Sequence, residues 1–413
     1  MPLTPRSVVV FALTGIILTA LGIRTGVAAL SPLATTIELD VPLVGLPLGA
    51  LGMIPPLAFS LAATFSPWLA RRVTIEGAAV VVGGLAIIAH LWRGFSPNYA
   101  SLFVATIVLM LSAGIGNVIL PALVKLYAPR AVGPMTAAYA TAMALSATAP
   151  TVAGVWMADA FGWRLSLATW ALVSFVGAIP WLIVIPFAKR RGIAEAELTA
   201  TLPIPLAAVS LARSPTALSI MVIFAIAGAT AYTAFSLLPL MLSDIAGVGR
   251  TEAALALGLF SIVGLPLSLL VPPLAVRRGS AGILVGVATL TGVLGWLGLL
   301  LFPGAWLYVW VTLLAISPLS FHLSLTLIGK RTKNHFSALQ LSGYVNRAGY
   351  FFAAIGPLLV GLGYQLTGGW EISIIALVVL SVLQIPAVWV LRRERPVDDE
   401  LRDARPQCSY EQG

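Results

Sequence analysis

Twelve stretches of this chain are apolar enough, and at about 17 residues or more long enough, for one helix each to cross a bilayer. They cover 8–37, 44–70, 75–91, 100–124, 135–158, 165–187, 216–242, 253–276, 282–302, 306–328, 338–366 and 372–391. Nothing constrains the fold more. A backbone in hydrocarbon must satisfy its own N–H and C=O groups, which only helices and closed barrels do. Barrel strands would read as short segments of alternating hydrophobicity, whereas these runs are continuous. A barrel is excluded. With 59% hydrophobic and 9% charged residues among 413, the chain has too little polar surface to cover a soluble fold of that length. The expected fold is therefore all-α and integral to the membrane, with twelve transmembrane helices.

Between the ninth and tenth runs no charge intervenes, and the turn rests on Pro303 and Gly304 in "FPGAW". No secretory signal is expected, because the first run is longer than a signal core and lacks a cleavage flank.

Basic residues accumulate on the cytoplasmic side of membrane proteins. Counting alternate loops puts nineteen of the 24 on the side of the amino terminus and Arg93, Arg164 and Arg250 on the other, with Arg24 and Arg347 inside runs. Both termini are thus expected in the cytoplasm, in a multi-pass protein of the cytoplasmic (inner) membrane. The net charge of +9 is spent on this asymmetry, so a nucleic-acid partner has no basic domain to rest on. The single cysteine, Cys408, allows no intramolecular disulfide.

The two halves repeat at a nearly fixed offset. Pro32 in "LSPLA" matches Pro239 in "LLPLM", "SPWLARR" ending at Arg72 matches "PPLAVRR" ending at Arg278, and "APTVAGVWMADAFGW" matches "GPLLVGLGYQLTGGW" from Pro150/Pro357 to Trp163/Trp370. Six helices per half give both repeats the same orientation, related by an axis along the membrane normal. The expected organisation is a six-helix bundle over 1–188, a loop over 189–213, a second bundle over 214–391 and a polar tail over 392–413.

Four stretches carry a resemblance to the major facilitator superfamily over essentially the whole length: "GIRTGVAALSPL", "SPWLARRVTIEGA", "SAGIGNVILPALVK" and "LSGYVNRAGYFFAAIGPLLVGLGYQLTGGW". Within it, the first-helix arginine and "GNVILPALVK" make the chain similar to the cyanate permease and 2-nitroimidazole transporter group. The resemblance implies two pseudo-symmetric halves around a central substrate site. The chain departs from the superfamily pattern at Ala70, where an Asp is usual, and from the group pattern at Asn346 and Arg347, where a glutamine and a small residue are expected.

All fifteen acids lie outside the runs or at their ends, so no carboxylate is expected at the depth of Arg24 or Arg347. Two such cations make a site that favours an anion, because desolvated opposite charges attract far more strongly than in water. Arg24 is either a substrate clamp, gripping carboxylate-like or nitro-like oxygens with its planar fork, or a donor to carbonyls freed by a helix break at Gly22, Gly26 or Pro32. Arg347, ten residues after Ser337 and so about 15 Å along its helix, is a second candidate ligand or an interhelical contact.

Further candidates are Asn117, beside Gly114 and Gly116; Asn346 and Tyr139, equivalent across the repeat; and Tyr232, which aligns with Thr25. His322 is the one histidine deep in a run and is a candidate ligand or proton carrier. Glu38 is a candidate proton carrier at the outer mouth. His90 lies at a span end and calls for no function.

No phosphate-binding GxxxxGK[ST] loop, HExxH or CxxC spacing is present. Neither an enzyme, a metal nor a cofactor is expected. The reading is a secondary transporter for a small anion or anion-like polar compound of the cyanate or nitro-heterocycle class, acting as a monomer among membrane lipid. Its alternatives are a multidrug exporter of hydrophobic compounds with the same fold, and a non-transporting membrane receptor or scaffold.

Overall fold

A computed structural model of the chain describes residues 5–43, 45–191, 211–333 and 335–403. Most of the expected loop between the halves, 192–210, and the tail beyond 403 with Cys408 lie outside the described residues.

The described residues form helices throughout: α1 (Pro5–Ile23), α2 (Thr25–Ala28), α3 (Ala34–Ile37), α4 (Leu46–Val73), α5 (Ile75–Gly94), α6 (Tyr99–Tyr127) and α7 (Val132–Arg191) in the first half. The second half holds α8 (Pro215–Ala246), α9 (Arg250–Ala275), α10 (Ser280–Leu301), α11 (Leu307–Ile316), α12 (Leu319–Lys330), α13 (His335–Thr367), α14 (Glu371–Val382), α15 (Ile385–Arg392) and α16 (Val397–Asp403). Local chemistry sets the starts. Thr74, Asn98 and Ser214 each accept a backbone N–H from three residues ahead, at 3.1, 2.9 and 3.1 Å, and Pro215 occupies a first helical position where its missing donor is harmless.

Among the described residues ten helices are long and apolar enough to cross a membrane, and the bent pair Leu46–Ala62 and Thr64–Ala70 makes an eleventh crossing. Twelve follow because the 54-residue stretch Pro134–Phe187 is far longer than a bilayer needs and turns back at Gly162, whose φ of 82° an L side chain rarely adopts. The reversal is fixed by Ser166 Oγ, which donates to the Gly154 carbonyl at 2.7 Å across twelve residues of sequence.

The second half repeats this device: Ser373 Oγ donates to the Val360 carbonyl at 3.0 Å. A second pair seals the symmetry, since Trp163 Nε1 donates to Asp40 at 2.9 Å and Trp370 Nε1 to Asp244 at 2.8 Å. Symmetry fails at the first helix of each half. Between Ile23 and Ala34 the first span breaks into α1, α2 and a 3₁₀ turn at Ser31–Leu33, whereas α8 runs unbroken through Tyr232 and Pro239.

The face that carries the start of α1 and the segment α16 is here called proximal. Toward the opposite, distal face one hydrophobic core joins both halves, with Leu51, Trp163 and Leu167 packed into the same cluster as Leu238, Phe260 and Trp370. Toward the proximal face one cluster around Ile16, Leu120 and Trp181 is drawn mainly from the first half, with Tyr232 and Ala353 joining it from the second, and another around Ile220, Leu323 and Leu341 lies within the second half.

Glycine makes the distal closure tight. A Cβ on Gly49 of α4 would meet the Pro357 carbonyl oxygen of α13 at 2.6 Å, and one on Gly361 would meet the Gly45 oxygen at 2.7 Å, so these backbones cross with no room for a side chain. Arg250 of α9 adds an ion pair to Asp159 and a hydrogen bond to Thr36, both across the halves.

Where a polar tail was expected after 391, the described part folds back as α16 against the second half. Glu400 accepts from the Thr216 hydroxyl at 2.7 Å and from Ser214, Lys333 Nζ lies 2.5 Å from Asp399, and Lys330 Nζ lies 3.1 Å from Glu394. Hydrogen bonds from Lys330 and Lys333 hold the Glu394 and Asp399 carboxyls below their ordinary range. Their contribution to pinning this segment is therefore present above the ordinary carboxylate range and is lost as pH falls through the lowered values.

The glycine crossing yields a distance test. With Cys408 replaced by Ser and spin labels at Leu39 and Ala305, both exposed on distal loops, Gly49→Val is expected to lengthen the label separation measured by pulsed electron resonance. An unchanged distance distribution would mean that the crossing does not hold the distal face shut.

Candidate functional site

Arg24 sits in the turn between α1 and α2, at φ −100° and ψ −4°. Its peptide N–H donates to Ser146 Oγ of α7 at 3.0 Å. The carbonyls freed at the break find donors elsewhere: Thr25 Oγ1 donates to the Gly22 carbonyl at 2.8 Å, and Arg93 Nη1 of α5 donates to the Gly26 carbonyl at 2.9 Å. His90 Nε2 lies 3.4 Å from Thr25 Oγ1.

Arg93, counted in the sequence as a loop cation, thus lies inside α5 and is 1% exposed. His90, set aside as a span-end residue, is equally buried at 1%. The carbonyl-binding role that the sequence offered as one reading of Arg24 is filled by Arg93. Only the proximity of Arg93 to a helix end hid this, since a residue there reads equally as loop or as span.

The Arg24 guanidinium itself has no hydrogen-bond or ion-pair partner among the described residues. It lines a cavity of about 200 Å³ between the halves. The walls come from the turn after α1, α2, α4 and α7 on one side and α8, α9, α11 and α12 on the other, with Val27, Phe59 and Met143 facing Tyr232, Phe235, Phe260, Phe321 and His322. Ser261 and Ser268 add hydroxyls, and among the described residues no Asp, Glu or Lys lines it, so Arg24 is the one full charge there. The C-terminal end of α1 partly offsets that charge, because the last carbonyls of a helix carry a partial negative charge.

Aromatic rings brace the wall. Phe59 meets Tyr232 edge-on at 6.4 Å and Tyr350 at 5.9 Å, and Phe224 joins Tyr350 and Phe321 at 4.9 Å each. The positive charge of Arg24 acts on Tyr232, Tyr350 and His322, which share its surroundings.

Of the residues singled out from the sequence, Arg24, Tyr232 and His322 therefore line one cavity. The others stand apart from this lining. Asn346 Nδ2 bonds within its own helix, to the Ser342 carbonyl at 2.9 Å and the Ser342 hydroxyl at 3.2 Å. Arg347 is exposed, and its carbonyl accepts from Ser60 Oγ at 3.4 Å. Tyr139 packs against the first-half core one residue before the lining Ala140, and Asn117 lies half-buried on α6. The Glu38 carboxylate accepts the Leu43 backbone N–H and so closes the loop after α3. Ser146, Ser261, Ser268 and Tyr350 went unread, because isolated hydroxyls in apolar helices carry no spacing signal. Among the described residues no group of three or more His, Cys, Asp or Glu is placed to hold a metal.

Comparison with known proteins agrees with this architecture. The sequence model described as Major Facilitator Superfamily matches residues 10–344. The chain is 28% identical over 377 residues to the uncharacterized transporter YycB of Bacillus subtilis (strain 168), covering 90% of each. It is 28% identical over 374 residues to the 2-nitroimidazole transporter of Escherichia coli (strain K12), covering 90% of this chain and 92% of the relative. Among solved structures, an inward-facing, unoccupied bacterial homolog of the human lysosomal transporter Spinster superposes with a TM-score of 0.72 at 14% identity, covering 95% of this chain and 98% of its own. The nucleoside transporter NupG gives 0.72 at 13% identity, covering 92% and 99%. At such identities the likeness speaks for the fold alone.

The two arginines should separate in thermal melts of purified protein. Arg93→Met leaves the buried Gly26 carbonyl without its donor and is expected to destabilise by about 1–3 kcal/mol. Arg24→Met removes a half-buried, partnerless cation from an apolar cavity wall and is expected to leave the melting temperature unchanged or raise it. A drop for Arg24→Met as large as for Arg93→Met would show that Arg24 holds the break after all.

Proposed function

The chain belongs to the Major Facilitator Superfamily, and from that premise we propose that it is a secondary transporter moving a small anion or anion-like polar compound by alternating access. A multi-pass membrane transporter needs a site reachable from each side in turn, and a cavity between two rigid halves supplies one. The observation that carries the substrate class is Arg24, the one charged side chain on the cavity wall and without a partner there. Its fork offers paired donors to carboxylate-like or nitro-like oxygens. Tyr232 and His322 supply hydrogen bonds from the opposite half, and the aromatic walls suit a small planar ring. A relative named for 2-nitroimidazole transport supports the nitro-heterocycle class, and cyanate falls in the same range of size and charge.

His322 is the one lining histidine and serves this reading as either ligand or proton carrier. We read both termini as cytoplasmic, because nineteen of the 24 basic residues fall in the sequence on the amino-terminal side of the runs. We read the protein as a monomer of the cytoplasmic membrane that performs no covalent chemistry. A second reading, export of hydrophobic drugs, draws on Phe59, Phe235, Phe260 and Phe321 around the same cavity.

Thermal stabilisation of wild type and Arg24→Ala by a panel of small anions, nitro-heterocycles and cationic drugs distinguishes the two. An anion or 2-nitroimidazole should stabilise wild type, with roughly 10- to 150-fold weaker affinity in Arg24→Ala, the loss expected for a charge-assisted bond. If drugs stabilise both proteins equally and anions neither, the hydrophobic exporter takes its place.

A further inference from the structure

Behind the central cavity, separated from it by Val27 and Phe235, lies a smaller one of about 20 Å³. It is walled by both halves. Gly26 and Ser31 come from the broken first span, Leu51 from α4, Arg93 from α5, Thr106 from α6 and Ser236 from α8.

Two donors on this wall are buried and unpartnered: Arg93 Nε and Ser31 Oγ form no hydrogen bond among the described residues. Thr106 and Ser236 spend their hydroxyl protons on carbonyls of their own helices, at 2.7 Å each. Arg93 is 1% exposed and Ser31 3%. No carboxylate stands within ion-pair distance of Arg93 among the described residues, and none lines the cavity. The Gly26 carbonyl offers Arg93 a dipole but no countercharge.

A guanidinium this deep in a membrane protein is rarely without an opposite charge. A cavity of about 20 Å³ is enough for one small occupant and too little for an organic molecule. Two spare donors beside the uncompensated charge of Arg93 favour a negative occupant, held by charge-assisted bonds that a neutral water does not match. From this we infer that Arg93 and Ser31 hold a small monovalent anion of chloride size, distinct from the transported substrate, beneath the break in the first span. Because Phe235 and Ser236 of the second half complete its wall, bound anion favours the arrangement in which the distal face is closed.

The test uses full-length protein purified in sodium gluconate and melted against sodium chloride at matched ionic strength, with no transported compound present. Wild type and Arg24→Met are expected to gain melting temperature saturably with chloride and not with gluconate. Ser31→Ala, which removes a hydroxyl without a partner, should melt like wild type in gluconate and need roughly tenfold more chloride for the same gain. Arg93→Met should show no chloride response; where it fails to fold, Ser31→Ala decides.

Equal melting of wild type in chloride and gluconate would overturn the inference and leave the cavity to water. An unaltered chloride response in Ser31→Ala would place the anion elsewhere. Loss of the response in Arg24→Met, with Ser31→Ala unaffected, would assign it to the central cavity and overturn the inference without touching the substrate reading.

Discussion

A helix that breaks inside a bilayer must find donors for the carbonyls it frees, since no water is there to supply them. In this chain the third span does so: Arg93 reaches from α5 to the Gly26 carbonyl at 2.9 Å while Thr25 turns back to Gly22 at 2.8 Å. Everything distinctive about the central cavity follows from that arrangement. With the break secured by another residue, Arg24 lies at the turn with its peptide tied to Ser146 and its guanidinium unspent. The neighbouring Gly26 lets the broken segment press against α6, where a Cβ would run into the Leu109 and Met110 side chains. The site is therefore built from one half's irregularity, set against an unbroken counterpart helix bearing Tyr232.

The pseudo-symmetric scaffold explains how such a site is reached. The paired tryptophan–aspartate bonds at Trp163/Asp40 and Trp370/Asp244 lock the same hairpins in each half, so each bundle can move as a body. The distal core is shared broadly by both halves, whereas the proximal clusters are each drawn mainly from one half, which matches one of the two arrangements that alternating access requires. Opening the distal face would separate the glycine crossing at Gly49 and Gly361 and the Arg250–Asp159 pair. The α16 segment, pinned through Glu400 and Asp399, braces the second half alone.

Much of this was legible in the sequence, for reasons that also mark the limit. Run lengths and the 206- to 207-residue repeat gave twelve spans and two halves, because bilayer thickness and hydropathy leave few alternatives. Depth along a span is a count of residues, so Arg24, Tyr232 and His322 could be placed at cavity height. Direction around a helix is not readable in this way. Successive residues turn by about 100°, and in a helix that is apolar all round no polar stripe marks the inward face. Arg347 illustrates the point, lying at a plausible depth yet exposed beside its buried neighbour Val345. Asn346 found a partner four residues back at Ser342, a local bond that sequence spacing permits but does not announce. Arg93 was missed for the opposite reason, since its last-turn position made a loop reading natural.

The central claim is that the partnerless guanidinium of Arg24 captures the transported compound. Counterflow of labelled 2-nitroimidazole in proteoliposomes tests it most directly, with wild type and a folded Arg24→Met variant compared at equal protein density. The account predicts rapid exchange for wild type and exchange near the protein-free background for the variant. Exchange by Arg24→Met at the wild-type rate would contradict it, leaving the arginine a spectator in a cavity whose selectivity comes from its aromatic walls.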